Sequence, residues 1–295
     1  MTDIADIVKG SCVLRINAVY DSLKSAEKRL ADFILASPDT MGQYTILELA
    51  TCSETSYATI SRFCRKIGFS GFKELKKNLE TNIVDAKSLE EEMEGLTISS
   101  HASIKQISEV VFGLSSKLID ELKSIIDYSA ISVVAEKIIK SNSICFIGAG
   151  TSGISARYAY SKFFRIGIPS YYEADSTLFK MKASVLNEDD ILFVISSSGR
   201  TAEVIKCAKM AKSNNVYVVS LSDFAISPLT KVSNTNLYTT PRDANLFLNI
   251  DMPFIIGQII IIDILYSCCY LKMGENSSRL FSKTKLSADT EKLKP

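Results

Sequence analysis

The stretch TSYATISRFCRKIGFSGFKELKK, residues Thr55 to Lys77, decides the reading of the N-terminal third. Its bulky apolar positions Ile60, Phe63, Cys64 and Ile67 fall on one stripe at 3.6 residues per turn, so they predict a helix with one face on a small core. Tyr57, Thr59, Ser61, Arg62, Arg65 and Lys66 then look outward. Upstream, Ile46, Leu47, Leu49 and Ala50 form a shorter helix on the same principle, Ser53-Glu54-Thr55 makes a tight connection, and Ser56 is the N-cap candidate. A short helix, a turn and a polar-faced second helix make the helix-turn-helix pattern. In that geometry Tyr57, Ala58 and Arg62 reach base edges, while Ser56, Thr59, Ser61, Arg65 and Lys66 are placed for phosphates, which fix register without reading sequence.

Charge supports this locally. The 34 Lys plus Arg and 33 Asp plus Glu nearly cancel over 295 residues, so the chain as a whole carries no basic signal for nucleic acid. From Ser56 to Glu80, however, six basic residues face two acidic ones, whereas Met1 to Thr55 holds five basic and eight acidic. One face of the domain is thereby suited to DNA and another repels it.

At 46% hydrophobic content the chain can bury a large core, and its length predicts two domains. Seven scattered cysteines, with no CxxC pair, fit a reducing compartment better than a disulfide framework or a metal site. MTDIADIVKG begins acidic and shows no basic region followed by an apolar run, which argues against a signal peptide. Ile250 to Leu271 is long enough to span a bilayer, but Asp251, Gln258 and Asp263 interrupt it. A charge at mid-bilayer costs roughly 2.5–3.5 kcal/mol, so this segment reads as a core helix or one packed on a second subunit.

Residues 1–80 read as an all-α domain, with one helix over Ala18–Ala36 and another over Phe72–Leu79. Residues 81–106 read as a polar, acidic linker, 107–275 as an α/β domain and 276–295 as a polar C-terminal tail. The α/β domain opens with amphipathic helices Ile107–Ile126 and Ser132–Lys140. Strand signals follow at 143–147, 190–195 and 216–221, with weaker ones at Ser170–Tyr172 and Leu237–Tyr238. Helices at 152–166, 176–186, 201–213 and 250–272 alternate with them, which predicts a doubly wound, mainly parallel five-stranded sheet.

Ligands of such sheets bind beyond the carboxyl ends of the strands. Two loops lie there. Gly148-Ala149-Gly150-Thr151-Ser152-Gly153 follows a strand and opens a helix, so its glycines let backbone N–H groups approach an anion. Ser196-Ser197-Ser198-Gly199-Arg200-Thr201 does the same with four hydroxyl residues, neutral donors suited to a phosphate and sugar hydroxyls. The predicted effector residues are Gly148, Gly150, Thr151, Ser152, Ser196, Ser197, Ser198, Gly199 and Thr201. The first loop is also GxGxxG, with Glu173 twenty residues beyond Gly153, so a dinucleotide sensor is the alternative. That alternative leaves the hydroxyl-rich second loop without a role.

The segment Ile46–Leu79, with Leu49-Ala50, Thr59-Ile60-Ser61-Arg62-Phe63 and Gly68-Phe69-Ser70-Gly71-Phe72, resembles the helix-turn-helix domain of RpiR-type bacterial transcriptional regulators. The C-terminal half is similar to their sugar isomerase (SIS) domain: Gly-x-Gly-x-Ser falls on Gly148, Gly150 and Ser152, and Ser-x-Ser-Gly-x-Thr on Ser196, Ser198, Gly199 and Thr201. The Pro241-Arg242 turn and the helix ending Ile262-Asp263-Ile264-Leu265-Tyr266 are similar too. The resemblance implies a soluble cytoplasmic regulator, a dimer or tetramer through its SIS domains. It would bind double-stranded operator DNA and a phosphorylated sugar or sugar acid, with no cofactor and no catalysis. SIS domains also occur in aldose–ketose isomerases, whose proton transfers need a positioned base. The single histidine, His101, lies in the predicted linker, and Arg200 stands where several isomerases carry Glu. Glu173, Asp175 and Glu203 are the remaining candidate bases.

Overall fold

The computed structural model describes residues 12–36, 38–79, 103–240 and 255–289. They form two compact units. One comprises the described residues up to Ile125 with Phe224–Ile226 and Thr240. The other comprises Ile126–Asp223, Ser227–Thr239 and the described residues from Ile255.

In the first unit α1 (Cys12–Val19), α2 (Ser25–Ala36), α3 (Ile46–Cys52), α4 (Tyr57–Lys66) and α5 (72–79) surround a core of Ile16, Leu30, Ile34, Met41, Leu49, Ile60, Phe63, Cys64, Ile67, Phe69 and Leu75. The single helix expected over Ala18–Ala36 is broken. A 3-10 turn at Tyr20–Ser22 intervenes, Leu23 is extended (ψ 143°) and buried, and Glu27 accepts a hydrogen bond from the Lys24 N–H at 2.9 Å to start the second helix. The apolar spacing runs through the break, so periodicity alone could not reveal it. α6 (Ile104–Ile125) starts three residues before the expected Ile107, inside the stretch read as linker, and falls with the first unit.

The second unit begins with α7 (Tyr128–Lys140), which is capped by Asp127 and whose first residue lies four before the expected start. Five strands follow: β1 (Ser143–Gly148), β2 (Ser170–Tyr172), β3 (Asp190–Ile195), β4 (Tyr217–Asp223) and β5 (Thr235–Thr239). They form a wholly parallel sheet in the order β2-β1-β3-β4-β5. Alternate residues supply its two faces, which is why the strands read as unbroken apolar runs. Cys145, Ile147, Leu192, Val194 and Val218 meet α9 (Ser176–Val185), α10 (Ala202–Ser213) and α11 (Pro228–Val232). On the other face Phe146 stacks on Phe163 of α8 (Thr151–Arg165), with centroids 5.6 Å apart.

α12 (Ile255–Met273) packs against α7 and α8, where Gln258, Asp263 and Lys272 find partners. Asp263 accepts hydrogen bonds from Tyr158 Oη at 2.8 Å and from Lys162 Nζ at 3.0 Å. The expected start of this helix at 250, and the Pro241-Arg242 turn, lie outside the described residues. The polar tail carries a further helix, α13 (Glu275–Asp289): Thr284 donates to the Arg165 carbonyl at 3.1 Å and Arg165 lies over Phe281. Burial pushes the thiols of Cys64, Cys145 and Cys269 up to about 12, so these cysteines act as small apolar side chains rather than nucleophiles.

Candidate functional site

The turn between α3 and α4 is built by hydroxyl groups. Thr45 and Glu48 form a capping box at the start of α3, the buried Ser53 donates to the Leu49 carbonyl at 2.6 Å, and Glu54 takes φ +50°. Arg29 of α2 donates to the Glu54 carbonyl at 3.1 Å, which ties the turn to the body of the unit. Ser56 caps α4 by accepting from Thr59 N–H.

Of the residues expected on the outer face of α4, Tyr57, Ala58, Arg62 and Arg65 are exposed, Ser56 is exposed as the cap, and Ser61 is half-buried. Arg62 Nε donates back to the Ala58 carbonyl at 3.2 Å and Arg65 to Ser61 Oγ at 3.2 Å, so both guanidinium groups lie along the helix surface. Thr59 is a correction. It is 8% exposed, and its hydroxyl shares a hydrogen bond with Ser56 Oγ at 2.9 Å, so it belongs to the cap and not to the outer face. Lys66 also differs from a freely presented cation: its Nζ bonds Glu27 and the Ser22 carbonyl, each at 2.9 Å. Burial raises the Glu27 carboxyl, but hydrogen bonds from Lys24 N–H and Lys66, with the attraction of both ammonium groups, outweigh it and hold the group below its ordinary range.

Sequence reasoning missed Arg15. This buried side chain of α1 donates to the Gly68 carbonyl at 2.9 Å and the Ile67 carbonyl at 3.5 Å, and lies 4.2 Å over the Phe69 ring. It supplies a cation and donors where α4 ends, which its terminal carbonyls favour. A lone Arg upstream of an apolar stripe gave no local signal of that role.

In the second unit both predicted loops leave neighbouring strands. Gly148 pairs with Ile195 at the ends of β1 and β3, and the winding reverses between those two strands, so the loops share the topological switch point. The glycines have distinct reasons. A Cβ on Gly148 would lie 2.6 Å from the Ser152 carbonyl oxygen, Gly150 has φ +58°, and Gly199 has φ +60° with a Cβ that would strike Ser227 Oγ. Neither α8 nor α10 has a side-chain cap: Gly150 and Thr201 make none, whereas α7, α9 and α11 are capped by Asp127, Asp175 and Ser227. The first turns of α8 and α10 thus carry no side-chain cap, and helix termini of this kind favour negative charge.

The hydroxyl groups divide by burial. Ser152 and Ser196 are buried, Ser197 and Thr201 half-buried, and Thr151 and Ser198 exposed. Ser196 Oγ donates to Thr201 Oγ1 at 3.4 Å, and Ser198 Oγ accepts from Arg200 N–H at 3.2 Å. Sequence reasoning missed Gln258 of α12, which reaches Ser152, Ser155 and Ser197. It was visible only as a polar interruption of an apolar run.

These two sites lie within recognised families. Residues 11–86 match the helix-turn-helix domain of the rpiR family and residues 137–261 match the SIS domain. An HTH-type transcriptional regulator of Caldanaerobacter subterraneus is 30% identical over 293 residues, covering 97% of this chain and 99% of that protein. The chain belongs to the RpiR family. The HTH-type transcriptional regulator HexR of Escherichia coli is 26% identical, with 88% of each chain covered. The Vibrio vulnificus NanR protein, solved in complex with ManNAc-6P, shares the fold with a TM-score of 0.61 at 24% identity, covering 96% of this chain and 99% of that one. The protein is accordingly an RpiR-type transcriptional regulator with an N-terminal helix-turn-helix and a C-terminal SIS domain.

Proposed function

We propose that α4 reads an operator and that the loops after β1 and β3 bind a phosphorylated sugar or sugar acid which changes operator affinity. The observation that carries the effector half is the pair of helices, α8 and α10, that start side by side at the switch point without side-chain caps and amid serine and threonine hydroxyls. Phosphate is an acceptor-only anion and suits that donor set. NanR binds a hexosamine 6-phosphate on the same fold. On the DNA side, Tyr57, Ala58 and Arg62 contact bases, and Ser56, Ser61 and Arg65 contact phosphates; Lys66 reaches a phosphate only by sharing its ammonium with Glu27. The protein works in the cytoplasm as a dimer or tetramer assembled through its SIS domains.

Of the candidate bases Glu173, Asp175 and Glu203, Asp175 is already engaged as a helix cap. Asp175 accepts from Thr177 and Leu178 N–H groups as the cap of α9, and Glu203 is exposed on the first turn of α10. The test is operator binding by fluorescence anisotropy across titrations of sugar phosphates, with NAD(H) in the same set. The expected result is a shift of operator affinity by a sugar phosphate, and by reciprocity a tighter or weaker grip on that sugar phosphate when operator is present. A response to NAD(H) alone, or turnover of a sugar phosphate in a coupled assay, would overturn the reading. Arg65→Ala should reduce the salt slope of operator binding by about one unit while leaving sequence preference intact.

A further inference from the structure

Gln258 is 2% exposed in the mainly apolar helix α12, and its amide reaches a serine of each loop. Its Nε2 donates to Ser197 Oγ at 3.0 Å and, more weakly, to Ser152 Oγ at 3.5 Å. Its Oε1 accepts from Ser155 Oγ at 2.6 Å, and Ser155 is fully buried on α8. One amide thus bridges the first loop, the second loop and the helix between β1 and β2.

The direction of these bonds matters. A hydroxyl has one O–H to donate and two lone pairs with which to accept. An N–H aimed at Ser197 and Ser152 occupies a lone pair on each and leaves each O–H to be donated elsewhere. At the opposite end of the amide Ser155 Oγ donates to Oε1, so in this arrangement the carbonyl oxygen faces α8 and the N–H end faces the loops. The loops therefore present donors, the polarity that a phosphate requires.

We propose that Gln258 is a positioning residue of the phosphosugar site, which sets the Ser152 and Ser197 hydroxyls as donors and holds the two loops at a common spacing. This rests on the anion-site reading given above. Gln258 touches no ligand itself and acts through the serines, so its effect must depend on them.

The test is a double-mutant cycle read as inorganic phosphate affinity by ³¹P NMR titration, with wild type, Gln258→Met, Ser197→Ala, the double variant and Ser155→Ala, each checked for folding by circular dichroism. Gln258→Met should weaken phosphate binding about fivefold or more. Most of that effect should vanish in the Ser197→Ala background, because a residue acting through Ser197 has nothing left to position. Additive losses, or unchanged phosphate affinity in Gln258→Met, would overturn the proposal. Should Gln258→Met not fold, Ser155→Ala decides. It removes only a buried hydroxyl outside the loops, is expected to lower phosphate affinity severalfold by releasing the amide, and overturns the proposal if affinity is unchanged. A wild type that binds no phosphate would instead overturn the anion-site reading and this inference with it.

Discussion

At Gly199 the backbone sits at φ +60°, and the space where a Cβ would go is already held by Ser227. Gly199→Ala therefore meets both a left-handed backbone, costing about 1–2 kcal/mol for a residue with a Cβ, and a collision with the cap of α11. The expected outcome is a lower urea midpoint for the SIS unit together with loss of sugar-phosphate response, measured on one preparation. Ser198 offers the contrasting case, since it is exposed and accepts from the Arg200 N–H within its own loop. Ser198→Ala should leave stability nearly unchanged. It should weaken sugar-phosphate binding about tenfold or more, as expected for a hydrogen bond to a charged group worth roughly 1.5–3 kcal/mol. Operator affinity without ligand should match wild type. Loss of operator binding in the absence of ligand would instead make the loop structural.

At the scale of the element, α4 is held at its carboxyl end by two neighbours, Arg15 from α1 and the Lys66–Glu27 pair reaching α2. Glu27 is held below its ordinary range when folded, so its contribution is complete at neutral pH and is lost as pH falls through the lowered value. Urea unfolding of wild type and Glu27→Gln should thus differ by about 1 kcal/mol near pH 7 and converge in acid. A difference that persists unchanged in acid would rule this pairing out as the cause.

The same element shows what a sequence can disclose. The stripe Ile60, Phe63, Cys64, Ile67 was legible because burial repeats with the helix turn, and β1, β3 and β4 were legible because strands covered on both faces are apolar throughout. Thr59 was misplaced because a hydroxyl is equally at home in water and in a cap, and only the three-residue offset to Ser56 separates the two. The break at Leu23 was hidden because the apolar residues keep helical spacing across it. Both effector loops were legible from local Gly and Ser patterns, whereas Arg15 and Gln258 act across 53 and 61 residues of chain and leave no local mark.

For the whole molecule, the outer side of α12 is the feature to explain. Ile255, Ile256, Ile259, Ile260 and Ile264 stay half-buried in the single chain, although the opposite side is fully packed on α7 and α8. Closed symmetric association is the common way to cover such a face. Sedimentation at micromolar concentration should show a dimer or tetramer, and Ile259→Lys with Ile260→Lys should shift it toward smaller species. A monodisperse wild-type monomer would remove the two-fold axis that a palindromic operator needs.

The bond from Ser155 to Gln258 joins residues 103 positions apart. During synthesis the five strands and both loops are made before the helix that completes them. A premature stop codon between Thr240 and Gln258 would deliver the operator-reading helices without a finished sensor. Such alleles are expected to leave the target genes deaf to the sugar phosphate in a reporter strain, a phenotype distinct from a gene deletion wherever the truncated chain still occupies its operator.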